Sequence, residues 1–200
     1  FQTLAETGRH HDPARTEQQV AALPWAAQVA MTGLGGEVRG LSFAPDGPHL
    51  AVIVNTSQVG LWDLAADELL WQRELPRPLD LILHSGQDRI WVAERFRNPG
   101  QPCGVYLVDA AGHHRLGQHG DQVSALLPTP DGGMLSASRD GTLAVWDATG
   151  ERRRRLPLGS NHRPAVALSP DGSRLAVAQR DIVLYDWPVQ ERLMTLTLPT

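Results

Sequence analysis

Three side chains in this sequence could, by type, build a hydrolytic centre. His119 and Asp140 could serve as a general base and its orienting carboxylate, with Ser136 as nucleophile. Such chemistry also needs donors for the developing oxyanion and a turn that presents the serine. No oxyanion-hole motif and no GxSxG accompanies the trio. A metal centre is the second possibility, from His113, His114 and His119 with Cys103. Zinc ligands come in pairs at short spacings in two clusters. Here two of the histidines are adjacent, and on a strand they point to opposite faces. The expectation is therefore no catalytic residue, no metal and no bound cofactor.

Other candidates read as surface or packing. The run Arg152–Arg155 could grip phosphate. No aromatic residue interleaves with it, and alternate side chains on a strand point apart, so a solvated strand is expected. Trp71 and Trp91 are expected to pack between strand layers rather than hold a ligand. Asn55-Thr56-Ser57 is a glycosylation sequon that reads as a turn. Net charge is −4, with every basic side chain an arginine, so no global field gathers nucleic acid or an anionic membrane. No apolar run reaches eighteen residues. The sequence opens at Phe1 without a basic-then-apolar leader, and Cys103 is the sole cysteine. These features give a cytoplasmic, reducing compartment as the expectation, and the Phe start fits a piece of a longer chain.

The elements that would position these side chains are short strands. From His119 to Asp147 the sequence reads HGDQVSALLPTPDGGMLSASRDGTLAVWD. Val123–Leu127 is apolar and ends at the Pro130-Asp131-Gly132 turn. Met134–Ser138 is a second strand, ended by Arg139-Asp140-Gly141, and Thr142–Trp146 is a third. Asp-Gly between two strand-like runs is a strong hairpin signal, because glycine accepts the positive φ cheaply. The same turn recurs as FAPDG at 43–47 and SPDG at 169–172. Between the first two copies Leu81 and Leu83 take the places of Leu41 and Phe43, with Ser85-Gly86-Gln87 as the turn. Closing dipeptides keep the same period: Trp62-Asp63, Val108-Asp109, Trp146-Asp147 and Tyr185-Asp186. A period near forty with several strands per unit is a propeller pattern.

The stretch 119–147 resembles one repeat of the WD-repeat (WD40) family. The resemblance implies an all-β fold, a β-propeller of four-stranded antiparallel blades. Four blades are visible, at about 36–76, 77–118, 119–158 and 159–200. They are part of a larger ring, with 26–200 as the propeller region. Residues 1–25 form a linker or short helix, opened by Asp12-Pro13, and Ala26–Thr32 has an outer-strand pattern. Within the family pattern His119, Ser136, Asp140 and Trp146 match the four residues that such repeats join by hydrogen bonds. Blade 1 keeps Trp62 but has Leu34, Val52 and Thr56 elsewhere, which suggests dry packing. Blade 2 has Val108, and blade 4 Tyr185, where tryptophan is expected.

The resemblance further implies a non-catalytic scaffold or sensor that holds a protein or peptide. Bacterial relatives carry such propellers beside a signalling ATPase, kinase or protease domain. The long connection of blade 2 at 94–104 is rich in proline and glycine, and Phe96 and Arg97 are its candidates for partner contact. Open blade faces make self-association a further expectation. The alternative is an enzyme or small-ligand propeller with its site in the central channel, for which His84 and His162 are scattered candidates. A purely structural spacer is a third reading.

Overall fold

The computed structural model describes residues 36–200 except 46, 56, 78, 85–88, 95–97, 99–100, 159–163, 179–180, 188–190 and 198–200. The side chains of 80, 81, 83 and 84 are also outside the description. The expected helix after Asp12, the strand at 26–32, and Leu34, Thr56, Phe96, Arg97 and His162 lie outside the described residues.

Among the described residues sixteen strands form four antiparallel sheets, each in sequence order from its first strand to its last. Blade 1 holds β1 (Val38–Phe43), β2 (His49–Val54), β3 (Gln58–Asp63) and β4 (Glu68–Glu74). Blade 2 holds β5 (Leu79–His84), β6 (Ile90–Glu94), β7 (Cys103–Val108) and β8 (His113–His119). Blade 3 holds β9 (Val123–Pro128), β10 (Met134–Ser138), β11 (Thr142–Trp146) and β12 (Arg152–Pro157). Blade 4 holds β13 (Ala165–Leu168), β14 (Arg174–Ala178), β15 (Ile182–Asp186) and β16 (Arg192–Leu196).

Aspartates fix the turns at one end of the blades. In the first turn of blade 3, Asp131 Oδ1 accepts the Thr129 hydroxyl at 2.5 Å, and Gly132 takes φ of 80°. Ser169, Asp171 and Gly172 repeat this in blade 4. The closing aspartates cap the third-to-fourth strand turns. Asp63 accepts the Ala65 and Ala66 amides, Asp109 those of Ala111 and Gly112, and Asp147 those of Thr149 and Glu151. These are Asx turns, in which a short carboxylate replaces a backbone acceptor. Hydrogen bonds led by the Thr149 hydroxyl hold Asp147 down to about 2.

Gly133 shows how tight the turn is. A Cβ there would lie 2.2 Å from the Trp146 carbonyl oxygen and 2.9 Å from Thr129 Oγ1. Backbone cannot swing away as a flexible side chain could. Gly133→Ala is expected to cost about 1–3 kcal/mol through forced backbone shift, read as a lower urea midpoint. An unchanged midpoint would show that the turn can open without loss.

Apolar side chains fill the space between blades. Ala51, Ile53, Val59, Leu61 and Trp71 of blade 1 pack on Leu79, Ile90, Val92, Tyr106 and Val108 of blade 2. Trp91, Ala93, Val105 and Leu107 of blade 2 meet Val123, Met134, Ala144 and Trp146 of blade 3. Leu135, Ala137 and Leu143 of blade 3 meet Leu175, Val177 and Trp187 of blade 4. Trp71 and Trp91 thus serve packing. Inner and middle strands that read as apolar runs are expected to be buried on both faces against neighbouring blades, and one inner strand departs from this. Inner strands are not buried on both faces throughout: Leu41 and Phe43 of β1 are 60% and 68% exposed. Burial of an inner strand requires a neighbouring blade on each side, and among the described residues no blade covers these two side chains.

Candidate functional site

Among the described residues two buried clusters join polar side chains from several strands. In blade 3 the β10–β11 turn and the β8–β9 connection meet at the same end. His119, last residue of β8, is 1% exposed, and Ser136 in the middle of β10 is fully buried. Trp146 Nε1 donates to Ser136 Oγ at 2.8 Å. His119 Nε2 lies 2.8 Å from the same oxygen. Since Ser136 accepts from tryptophan, its hydroxyl proton points to His119 Nε2. The Nδ1 proton then faces Thr142 Oγ1 at 3.2 Å and Asp140 Oδ2 at 3.4 Å. Asp140 also accepts the Gly120 amide at 2.6 Å, the Thr142 hydroxyl at 2.5 Å and Arg155 at 2.9 Å. The cluster therefore ties two inter-strand connections to strands β10, β11 and β12.

This geometry decides what the trio can do. Burial pushes His119 below its ordinary value, against the pull of Asp140, so the ring is neutral near pH 7. Burial works against the charge of Asp140, yet Thr142, Gly120 and the neighbouring cations hold it below the ordinary carboxylate value. The Ser136 oxygen is enclosed and engaged on both sides, by the indole and by the imidazole. Its bonds tie strand β10 to Trp146 of β11 and to His119 of β8.

The second cluster was not expected from the sequence pattern. Glu94, last residue of β6, is 5% exposed. Its carboxylate accepts the Gly104 amide at 2.9 Å and the Tyr106 hydroxyl at 2.6 Å. Arg77 Nε stands 3.7 Å away on the connection into blade 2. Burial first, and the Glu94 hydrogen bond second, push the Tyr106 phenol up to about 12. A Cβ on Gly104 would lie 2.8 Å from Glu94 Oε1, so only glycine leaves room for the carboxylate. Glu94 and Cys103 are the stems of the long blade 2 connection. The only hint lay in a charged residue closing the apolar run IWVAE, a pattern that a surface strand end shows equally.

Register places the counterparts of the blade 3 residues. Ser136 faces Ala144 as Val52 faces Gly60, Val92 faces Tyr106 and Val177 faces Val183. Leu75 and Leu158 occupy the place of His119, each donating its amide just before the third strand of its blade, to Ser57 and Gly141. Valine offers no acceptor, and in blade 1 the buried Trp62 Nε1 finds no partner. The dry packing expected of blade 1 is thus incomplete: an unpaired indole N–H remains where Val52 stands.

The arginine run lies on an exposed strand, as expected, and most of its cations have partners there. Arg153 pairs with Asp147 at 2.6 Å and Glu151 at 3.1 Å, and Arg155 with Asp140 at 2.9 Å. Arg152 lies over the Trp146 ring, 5.8 Å from its centroid. The strand is exposed but largely engaged, because the turn aspartates of the same blade stand within reach. His113 and His114 pair with Val108 and Leu107 as successive residues of β8. Cys103 is buried. The described residues hold no group of three His, Cys, Asp or Glu placed to share a metal ion. At the other end of the blades, the proline turns line a cavity of about 410 Å3 with Pro45, Pro130 and Pro170, joined by Leu127, Leu168 and Ser169.

Comparison with known proteins agrees with this architecture. The family described as WD domain, G-beta repeat matches residues 112–147. A WD repeat-containing protein of Synechocystis sp. is 29% identical over 162 residues, which are 80% of this chain and 46% of that protein. The crystal structure of the Cps50 (Swd1) β-propeller domain of Myceliophteria thermophila superposes with a TM-score of 0.64 at 17% identity. The match covers 80% of this chain and 58% of that one. The chain thus spans about half the length of these two proteins.

Proposed function

As a run of WD40-type β-propeller blades, this chain is, we propose, a non-catalytic platform that holds a protein or peptide partner. Such repeats are in general interaction scaffolds. One observation carries the reading here. The residues best suited to chemistry, His119, Ser136 and Asp140, spend their hydrogen bonds on each other and on Trp146, Thr142 and Arg155. What is left for function is shape: rigid blades presenting connections at their two ends.

The connection between β6 and β7 is the proposed contact, with Phe96 and Arg97 as its first candidates. Its two stems are tied together by Glu94, which accepts from Gly104 and Tyr106. A cytoplasmic bacterial protein, with the propeller as sensor or scaffold beside another domain, is the proposed setting. The test is in-cell cross-linking to identify the partner, then affinity measured with purified components. Replacing residues 95–102 by a short Gly-Ser link is expected to weaken binding about tenfold or more. Unchanged affinity would remove the loop from the interface. Failure of any protein to cross-link above a scrambled control would remove the platform reading itself.

A further inference from the structure

The cleft between blades 3 and 4 holds a pocket where the preceding cleft holds an indole. Between blades 2 and 3, Trp146 lies so close over β8 that a Cβ on Gly117 would stand 2.9 Å from its ring. Register puts Tyr185 of blade 4 in the place of Trp146, and Leu156 of blade 3 in the place of Gly117. The smaller ring and the larger opposing side chain do not close the cleft, and a pocket of about 170 Å3 remains. Leu143, Leu156 and Leu158 of blade 3 line it together with Leu175, Tyr185 and Trp187 of blade 4.

Two arginines face the same cleft, one from each wall. Directly paired residues of neighbouring strands share one side of a sheet. Arg154 pairs with Val145, which packs into this cleft beside Leu156, so Arg154 stands on the blade 3 wall. Arg192 pairs with Tyr185 on the blade 4 wall, as Arg152 pairs with Trp146 and lies over its ring. Both Arg154 and Arg192 are exposed, and neither has a carboxylate partner among the described residues. The neighbours of Arg154 do: Arg153 holds Asp147 and Glu151, and Arg155 holds Asp140. Arg192 bonds to the Thr195 hydroxyl instead. The Tyr185 hydroxyl likewise has no hydrogen-bond partner among the described residues.

We propose that this cleft binds a small amphiphilic carboxylate, with its aromatic or branched body in the pocket and its charge on Arg154 and Arg192. Size sets the body: an apolar cavity of about 150 Å3 accepts one benzene ring. Charge sets the head. A plain hydrocarbon would leave two cations and a phenol hydroxyl without an acceptor. A small polar anion would leave the leucines and Trp187 open to water. A carboxylate on an apolar body answers both, since guanidinium groups meet carboxylates in charge-assisted hydrogen bonds.

The test is binding of phenylacetate to the full-length polypeptide by NMR, with phenylacetamide as its neutral counterpart. Phenylacetate is expected to bind with a dissociation constant of about 1 mM, the scale open to so few atoms. The amide should bind about fivefold or more weakly, since the two cations are exposed and each contributes modestly. Magnetisation transfer between the ligand ring and the Tyr185 ring should place it in the pocket. Tyr185→Trp should fill the space and weaken binding about tenfold or more, with a melting temperature no lower than that of the natural protein. Arg154→Gln with Arg192→Gln should bring acid and amide to the same affinity. No saturation by about 10 mM would overturn the proposal. So would equal affinities of the natural protein for acid and amide, ligand contacts elsewhere in the molecule, or unchanged binding to a folded Tyr185→Trp variant.

Discussion

Ser136→Ala is expected to destabilise the fold by about 2–4 kcal/mol, because it strands two buried groups at once. The Trp146 indole N–H loses its acceptor and His119 Nε2 loses its donor, both in a site almost without solvent access. A second change should then recover part of the loss. His119→Leu with Ser136→Val recreates the pair found in blades 2 and 4, Leu75 with Val92 and Leu158 with Val177. Only the Trp146 N–H would stay unpaired, as Trp62 does in blade 1. The double variant is expected to be at least about 1 kcal/mol more stable than the summed singles, in urea melts with an unchanged slope. Strict additivity would show that the residues touch without forming a unit.

The same cluster sets a pH dependence. An unfolded histidine takes its proton near 6.5, whereas burial lowers that value in the fold. The unfolded chain therefore binds more protons below that point. The contribution of His119 is complete above about 6.5 and is lost as pH falls from there towards the folded value. His119→Leu should remove this slope from a pH series of melting temperatures.

How much of this was visible in the residues depends on how local each signal is. Turn chemistry is local. Asp131, Gly132, Asp171 and Gly172 needed only their neighbours to announce a tight turn, and the strands β10 and β11 lie between such turns at Met134–Ser138 and Thr142–Trp146. The fixed period then brought His119, Ser136, Asp140 and Trp146 to one place, although seventeen residues separate the first two. What stayed hidden was non-local and unrepeated. Arg155 reaches Asp140 across the blade. The exposure of Leu41, Phe43 and Met194 is set by neighbouring sheets rather than by the strands themselves. Glu94 sits at a strand end where solvent exposure is the ordinary fate of a carboxylate. Its burial follows from Gly104 and Tyr106, ten and twelve residues away on another strand.

Glu94→Ala is the second change with a large expected effect, about 2–4 kcal/mol, and it tests that hidden cluster. Removing the carboxylate leaves the Gly104 amide and the Tyr106 hydroxyl as donors without an acceptor in a buried site. Arg77 contributes little by itself, because its own side chain is two-thirds exposed and it stands 3.7 Å away. Glu94→Gln should lie between, since one amide oxygen can accept from one of the two donors but not carry the charge that strengthens both bonds. Tyr106→Phe removes one donor together with its need, so in the Glu94→Ala background it should cost less than in the natural protein. Alkaline titration supplies an independent readout. The Tyr106 phenol is raised to about 12 from an ordinary 10, so the fold keeps this contribution below pH 10 and loses it as pH climbs towards 12. Loss of the carboxylate should bring the phenol part of the way back down, leaving only what burial itself imposes. Equal urea midpoints for the natural protein and Glu94→Ala would mean that water reaches both donors. The stems of the 95–102 connection would then not be held by Glu94.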